Sequence, residues 1–156
     1  MTVPNITIAT SVRYGSYKRY FDEALWIVEK LVYSFDDVLK HYVLPERLLY
    51  HIRPIRSEHG RAYWYTMPES ASTRYYCVEI DVRQEEEEFY DTVLHELTHI
   101  EQFASGRLKC CKDQNYFNWL GKKMITTGIT IAEYNELPWE KEAIEKAKKL
   151  RKVIFD

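Results

Sequence analysis

Apolar residues recur along this chain at three- and four-residue steps in some stretches and at two-residue steps in others, and that alternation of periods divides it into helices and strands. Ser16 is a suitable cap for a long helix that carries Phe21, Leu25, Val28, Val32, Phe35 and Leu39 along one face to about Tyr42, the back wall of the fold. Pro45 ends it. Leu48 to Ile55 and Arg61 to Met67 read as strands joined through the polar turn Ser57-Glu58-His59-Gly60, a hairpin candidate. Beyond a loop at Pro68 to Thr73, the segment Arg74 to Val82 alternates as a half-buried strand should. Tyr76, Val78, Ile80 and Val82 lie on one side, and Tyr75, Glu79 and Asp81 on the other.

The second half reads as mostly helical. Phe89, Val93, Leu97, Ile100 and Ala104 form one apolar stripe at about 100° per residue. That helix should begin within the acidic run Gln84 to Glu88, where carboxylates complement the helix dipole, and stop at Gly106. Asp113 is placed to cap a further helix with Phe117, Leu120, Met124 and Ile125, closed by Gly128. Ile129 to Leu137 is expected to be irregular. Pro138 then opens a final helix with Trp139, Ala143, Ala147, Leu150 and Ile154 along one side. The expectation is an α+β fold in one domain spanning residues 1–156, a length that buries a core without disulfide staples.

Composition narrows the partners. With 24 acidic and 22 basic residues the formal charge is −2, so no overall field favours nucleic acid or a membrane surface. The three cysteines, two of them adjacent as Cys110-Cys111, make neither a disulfide framework nor a Cys-x-x-Cys site, which fits a reduced cytoplasmic setting. The opening Met1-Thr2-Val3-Pro4-Asn5 lacks the basic and apolar run of a secretory signal, and no apolar run approaches the ~20 residues that span a bilayer. A soluble, intracellular protein is expected.

The chemistry concentrates in His95-Glu96-Leu97-Thr98-His99. Residues four apart share a helix face, so His95 and His99 can offer imidazole nitrogens to one Zn²⁺ while Glu96 stands beside it as a general base. Such a pattern also arises by chance, and a histidine on a helix face is often a hydrogen-bonded core residue. Here both histidines fall off the apolar stripe, which favours the metal. Catalytic zinc takes three protein ligands, and no histidine follows His99, so the third must be a carboxylate or one of His41, His51 and His59. Of Asp113, Glu133, Glu136, Glu140 and Glu142, Glu140 has the best geometry, at the edge of the last helix's apolar side. Glu142 points farther toward solvent. A first-turn carboxylate that merely complements the helix dipole would be the plainer account of Glu140 taken alone; beside the His-Glu-x-x-His motif the ligand role is favoured.

His95-Glu96-Leu97-Thr98-His99 followed by Leu137-Pro138-Trp139-Glu140-Lys141-Glu142-Ala143 resembles the gluzincin metallopeptidases, in particular their compact single-domain members, and is similar to the ImmA/IrrE-like peptidases. In several gluzincin groups the first glutamate of an E-x-E-A-like stretch is the third ligand, which carried onto this chain is Glu140. The resemblance implies a zincin-like arrangement. A long N-terminal helix packs on a small, mostly antiparallel three-stranded sheet, followed by the His-Glu-x-x-His helix and a C-terminal helix with the third ligand. It also implies that a peptide or protein substrate lies along the edge of the strand nearest the cleft, here Arg74 to Val82. One departure stands out: related stretches often carry an aspartate or asparagine four residues after the ligand glutamate, and this chain has Ile144.

The expected function is a zinc-dependent peptidase with His95, His99 and Glu140 on Zn²⁺ and Glu96 taking a proton from water. The alternative is a zinc-binding interaction module that cleaves nothing. Lys146, Lys148, Lys149, Arg151 and Lys152 raise a nucleic-acid role, although basic residues late in a helix chiefly complement its dipole.

Overall fold

The structure, a computed structural model, describes residues 5–10, 47–52, 60–64, 75–81, 84–111 and 116–155. In chain order these form β1 (Asn5–Thr10), β2 (Arg47–Ile52), β3 (Gly60–Trp64), β4 (Tyr75–Ile80), α1 (Glu86–Ala104), β5 (Leu108–Cys111), β6 (Tyr116–Trp119), β7 (Lys122–Ile125), α2 (Ile131–Asn135) and α3 (Pro138–Phe155). Helices and sheets both contribute, as an α+β fold requires. The helix expected from Ser16 to Tyr42 lies outside the described residues.

The first four strands make one sheet in the order β1-β2-β4-β3. β1 is parallel to β2 and β2 to β4, with Tyr50 opposite Val78; β3 is antiparallel to β4, with Gly60 opposite Ile80. Three expectations change here. The sheet is mixed and four-stranded, β2 and β3 are separated by β4 rather than joined as a hairpin, and β4 is interior rather than an edge. Alternation in a strand reports which faces are covered but not which neighbour it takes, because pairing is settled by contacts distant in sequence. The end of β4 exceeds the half-buried expectation: Val78, Glu79 and Ile80 are all buried, as is Asp81 just after the strand, and α1 packs on β3 and β4.

α1 follows its pattern closely. Glu85, Glu87 and Glu88 are exposed around its first turn, and Phe89, Val93, Leu94 and Ile100 are buried. Its end is made by Ser105 and Gly106, whose N–H groups donate to Glu101 O (2.9 Å) and Phe103 O (3.0 Å), with Gly106 in the left-handed region at φ 77°. α3 lies along α1 and buries Trp139, Ala143 and Ala147. Two of its basic residues are engaged there: Lys146 pairs with Glu101 at 2.7 Å and Arg151 with Asp91 at 3.0 Å. Among the described residues no helix is long and apolar enough to cross a membrane.

Between these helices the expected third helix is replaced by an antiparallel sheet, β5-β6-β7. Leu120-Gly121, with φ 50° and 86°, forms the two-residue loop between β6 and β7, the positive-φ pair that matches strand twist in a hairpin. The spacing of Phe117, Leu120 and Met124 satisfies a hairpin as well as a helix. Phe117 lies opposite Met124 across the strands, and both pack on the cluster of Leu108, Leu137 and Trp139, while Leu120 at the tip is exposed. The segment expected to be irregular contains α2. Its capping box joins the Thr130 hydroxyl, which accepts from Glu133 N–H at 3.2 Å, to the Glu133 carboxylate, which accepts from Thr130 N–H at 2.7 Å.

Candidate metal centre

Burial in α1 extends beyond the apolar stripe: Glu96, Thr98, His99, Glu101 and Gln102 are all buried, with α3 packed along the helix and β3 close to Glu96. The histidines therefore look across an interface between two helices. Pro138 starts α3 so that Trp139 and Glu140 fall in its first turn, and that turn meets the middle of α1.

There Glu140 spans both imidazoles. Its Oε2 is 3.0 Å from His95 Nε2 and its Oε1 is 3.1 Å from His99 Nε2, while the two Nε2 atoms are 3.0 Å apart. The rings stand nearly perpendicular, at 83° with centroids 4.7 Å apart. One ligand atom from each of the three residues lies within 4.8 Å of the others.

Such a cluster demands positive charge. Burial opposes a charged His99, yet the hydrogen bond to Glu140 and the negative charges of Glu96 and Glu140 outweigh it and raise the imidazole pKa to about 9. Burial likewise opposes a charged Glu140, but hydrogen bonds from His95 and His99 hold its carboxyl at about 2. A proton on the imidazole meets the demand in the metal-free protein; a dication meets it for all three donors at once. Two imidazoles and a carboxylate are the donor set of a catalytic zinc site, so the residues present fit Zn²⁺.

The other carboxylates weighed as ligands are occupied elsewhere or not described. Glu142, expected to point toward solvent, is partly buried, accepting from Arg107 at 2.6 Å and from Gln102 at 2.7 Å. Burial would raise its pKa, but those two donors hold it below the usual carboxylate range. Glu133 caps α2, and Glu136 pairs with Lys141 at 2.6 Å. Asp113, His41, His59 and the side chain of His51 lie outside the described residues.

Two residues that sequence reasoning passed over shape the site. Gln102 accepts at Oε1, 2.8 Å from His99 Nδ1, and Gly60 lets β3 approach Glu96. Neither belongs to a motif, and their role appears only once distant elements meet. Gly60, His95, Glu96, His99 and Glu140 line a cavity of about 280 Å³ together with the apolar and aromatic residues Phe103, Leu108, Phe117, Tyr134 and Trp139.

Comparison of the chain with protein-family models, curated protein sequences and solved structures returned no significant match. Any functional reading therefore stands on these side chains and on the short stretches that carry the resemblance.

Proposed function

We propose that the protein is a zinc-dependent peptidase of the gluzincin type, with His95, His99 and Glu140 as ligands and Glu96 as general base. The observation that supports it is the convergence of two Nε2 atoms and a carboxylate within 4.8 Å, with Glu96 lining the same cavity. When bound, Zn²⁺ supplies Lewis acidity, polarising a carbonyl and lowering the pKa of a water toward ~7. Glu96 takes a proton from the attacking water and returns it to the leaving amine. The packing of α3 on α1 holds the three ligands before any metal arrives, so little ordering remains to be done on binding.

Substrate recognition on this reading uses two features. The aromatic pair Phe117 and Trp139 in the cavity lining suits an apolar side chain flanking the cleaved bond. β3 pairs only with β4 among the described residues, so it rather than β4 offers an edge along which an extended peptide adds as a strand. A cytoplasmic setting accords with the cysteine usage.

The second reading, a zinc-binding module without activity, keeps the same three ligands. Glu96 argues against it, since it directly follows a ligand histidine on the same helix and lines the cavity with the three ligands, the place a general base takes in a catalytic site. Metal content of protein purified without added zinc, with cleavage of casein and fluorogenic peptides with and without chelator, separates the two. Wild type should bind one zinc and cleave. Glu96→Gln should keep zinc and lose turnover by about 10²–10⁴-fold, and Glu140→Ala should lose zinc. Zinc retained at full stoichiometry by Glu140→Ala would move the third ligand elsewhere, and zinc bound without cleavage of any peptide would favour the silent module.

A further inference from the structure

We propose that Gln102 is a positioning residue that fixes which nitrogen His99 presents to the metal centre and ties the two ligand-bearing helices through one amide. The consequence for zinc rests on the metal reading above; the orientation itself does not.

Gln102 is fully buried one turn beyond His99. Its Nε2 donates to Trp139 O at 3.0 Å and to Glu142 Oε2 at 2.7 Å, and its Oε1 is 2.8 Å from His99 Nδ1. The direction of this amide follows from its neighbours. A backbone carbonyl only accepts, and the Glu142 carboxylate, held by the permanently charged Arg107 at 2.6 Å, only accepts as well. A reversed amide would set its oxygen against both. With the amide so directed, Nδ1 of His99 must be the donor, since an acceptor at 2.8 Å from a bare Nδ1 would leave two buried lone pairs facing each other. The lone pair for a metal is thus at Nε2, the atom that faces Glu140 at 3.1 Å and His95 at 3.0 Å.

The same amide acts on the third ligand. Trp139, whose carbonyl it binds, immediately precedes Glu140, so one side chain holds the ring of His99 and the turn that carries the carboxylate. Behind it, Arg107 also reaches Glu101 at 3.3 Å, and buried Glu101 pairs with Lys146 at 2.7 Å, so the support is anchored on both helices. Ile144 has no hydrogen-bonding side chain with which to do this work.

The test compares Gln102→Leu and the double variant Gln102→Glu/Glu142→Gln with wild type. It reads the His99 imidazole N–H by nitrogen-15 NMR in metal-free and zinc-loaded protein, and zinc affinity by competition with a chromophoric chelator. Wild type should show an exchange-protected Nδ1–H in both forms. Gln102→Leu should lose that protection and bind zinc 10–100-fold more weakly, the usual cost of removing a ligand's supporting partner. The double variant keeps an acceptor against Nδ1, with the amide at position 142 donating to the new carboxylate, but it sets a carboxylate oxygen against Trp139 O; it should retain the Nδ1–H signal while losing the tie to α3 and binding zinc more weakly than wild type. A folded Gln102→Leu with unchanged protection or affinity, or a folded double variant that loses the Nδ1–H protection or binds zinc as tightly as wild type, would overturn the proposal. Absence of zinc binding by wild type would remove the peptidase reading instead, leaving the metal-free Nδ1–H signal to decide the role of Gln102.

Discussion

Gly60 on β3 approaches Glu96 on α1 so closely that a β-carbon there would lie 3.1 Å from Glu96 Cγ and 2.6 Å from Thr92 Cγ2. The strand can flank the candidate general base only because that position has no side chain. Gly60→Ala should therefore push β3 off the helix, costing about 1–3 kcal/mol of stability as overpacking does. On the peptidase reading it lowers kcat while zinc affinity stays near wild type. Denaturant unfolding and a zinc titration on the same preparation check this; an unchanged unfolding midpoint would show that the strand shifts freely.

The metal-free centre should give stability a pH window. The His99 pKa rises from 6.5 to about 9, so its contribution is full below 6.5 and is lost as pH rises through 9. The Glu140 value falls from 4.5 to about 2, so its contribution is full above 4.5 and is lost as pH falls toward 2. Both describe one set of hydrogen bonds, whose contribution to stability is full between pH 4.5 and 6.5 and declines beyond that window on either side, toward about 2 and about 9. Thermal unfolding of metal-free protein across pH should show losses on both sides that are much reduced in Glu140→Gln.

Zinc should displace the proton that His99 carries. At pH 7, below about 9, uptake releases about one proton from that ring, and the release declines as pH passes 9. Calorimetric titration in buffers of different ionisation enthalpy counts it. A release that stayed constant to pH 10 would mean another group gives up the proton.

Leu120 holds φ 50° at the tip of the β6–β7 hairpin, where its side chain is 66 % exposed. A residue with a β-carbon pays roughly 1–2 kcal/mol for that region, and asparagine before glycine tolerates it best. Leu120→Asn should raise stability by roughly 0.5–1 kcal/mol, read as a higher unfolding midpoint with zinc affinity unaltered.

Phe117 packs on Trp139 with ring centroids 5.3 Å apart and planes tilted by 32°, and both line the cavity. If that aromatic pair receives a substrate residue, Phe117→Ala should raise KM for peptides with a bulky apolar residue at the cleaved bond by about tenfold. Peptides with a small residue there should be affected little, and zinc affinity should hold. An equal rise for both would place recognition elsewhere.

Read along the chain, local rules were enough for the elements whose signals are short-range. The acidic entry to α1, the stop at Gly106 and the start of α3 at Pro138 each depend on a few neighbouring residues, as does the shared face of His95 and His99. The same rules misread 113–125, because a hairpin and a helix both accommodate apolar residues three and four apart, and they overlooked the Thr130 capping box although its signal was present. Strand order, the interior place of β4, the engagement of Glu142 by Arg107, and the contacts of Gln102 and Gly60 were decided only by tertiary structure. Gln102 and Trp139 are separated by 37 residues and His95 and Glu140 by 45, and no periodicity in either segment encodes the meeting of the two. Periodicity says which face of an element is covered; which face covers it follows from packing the whole chain into a common interior.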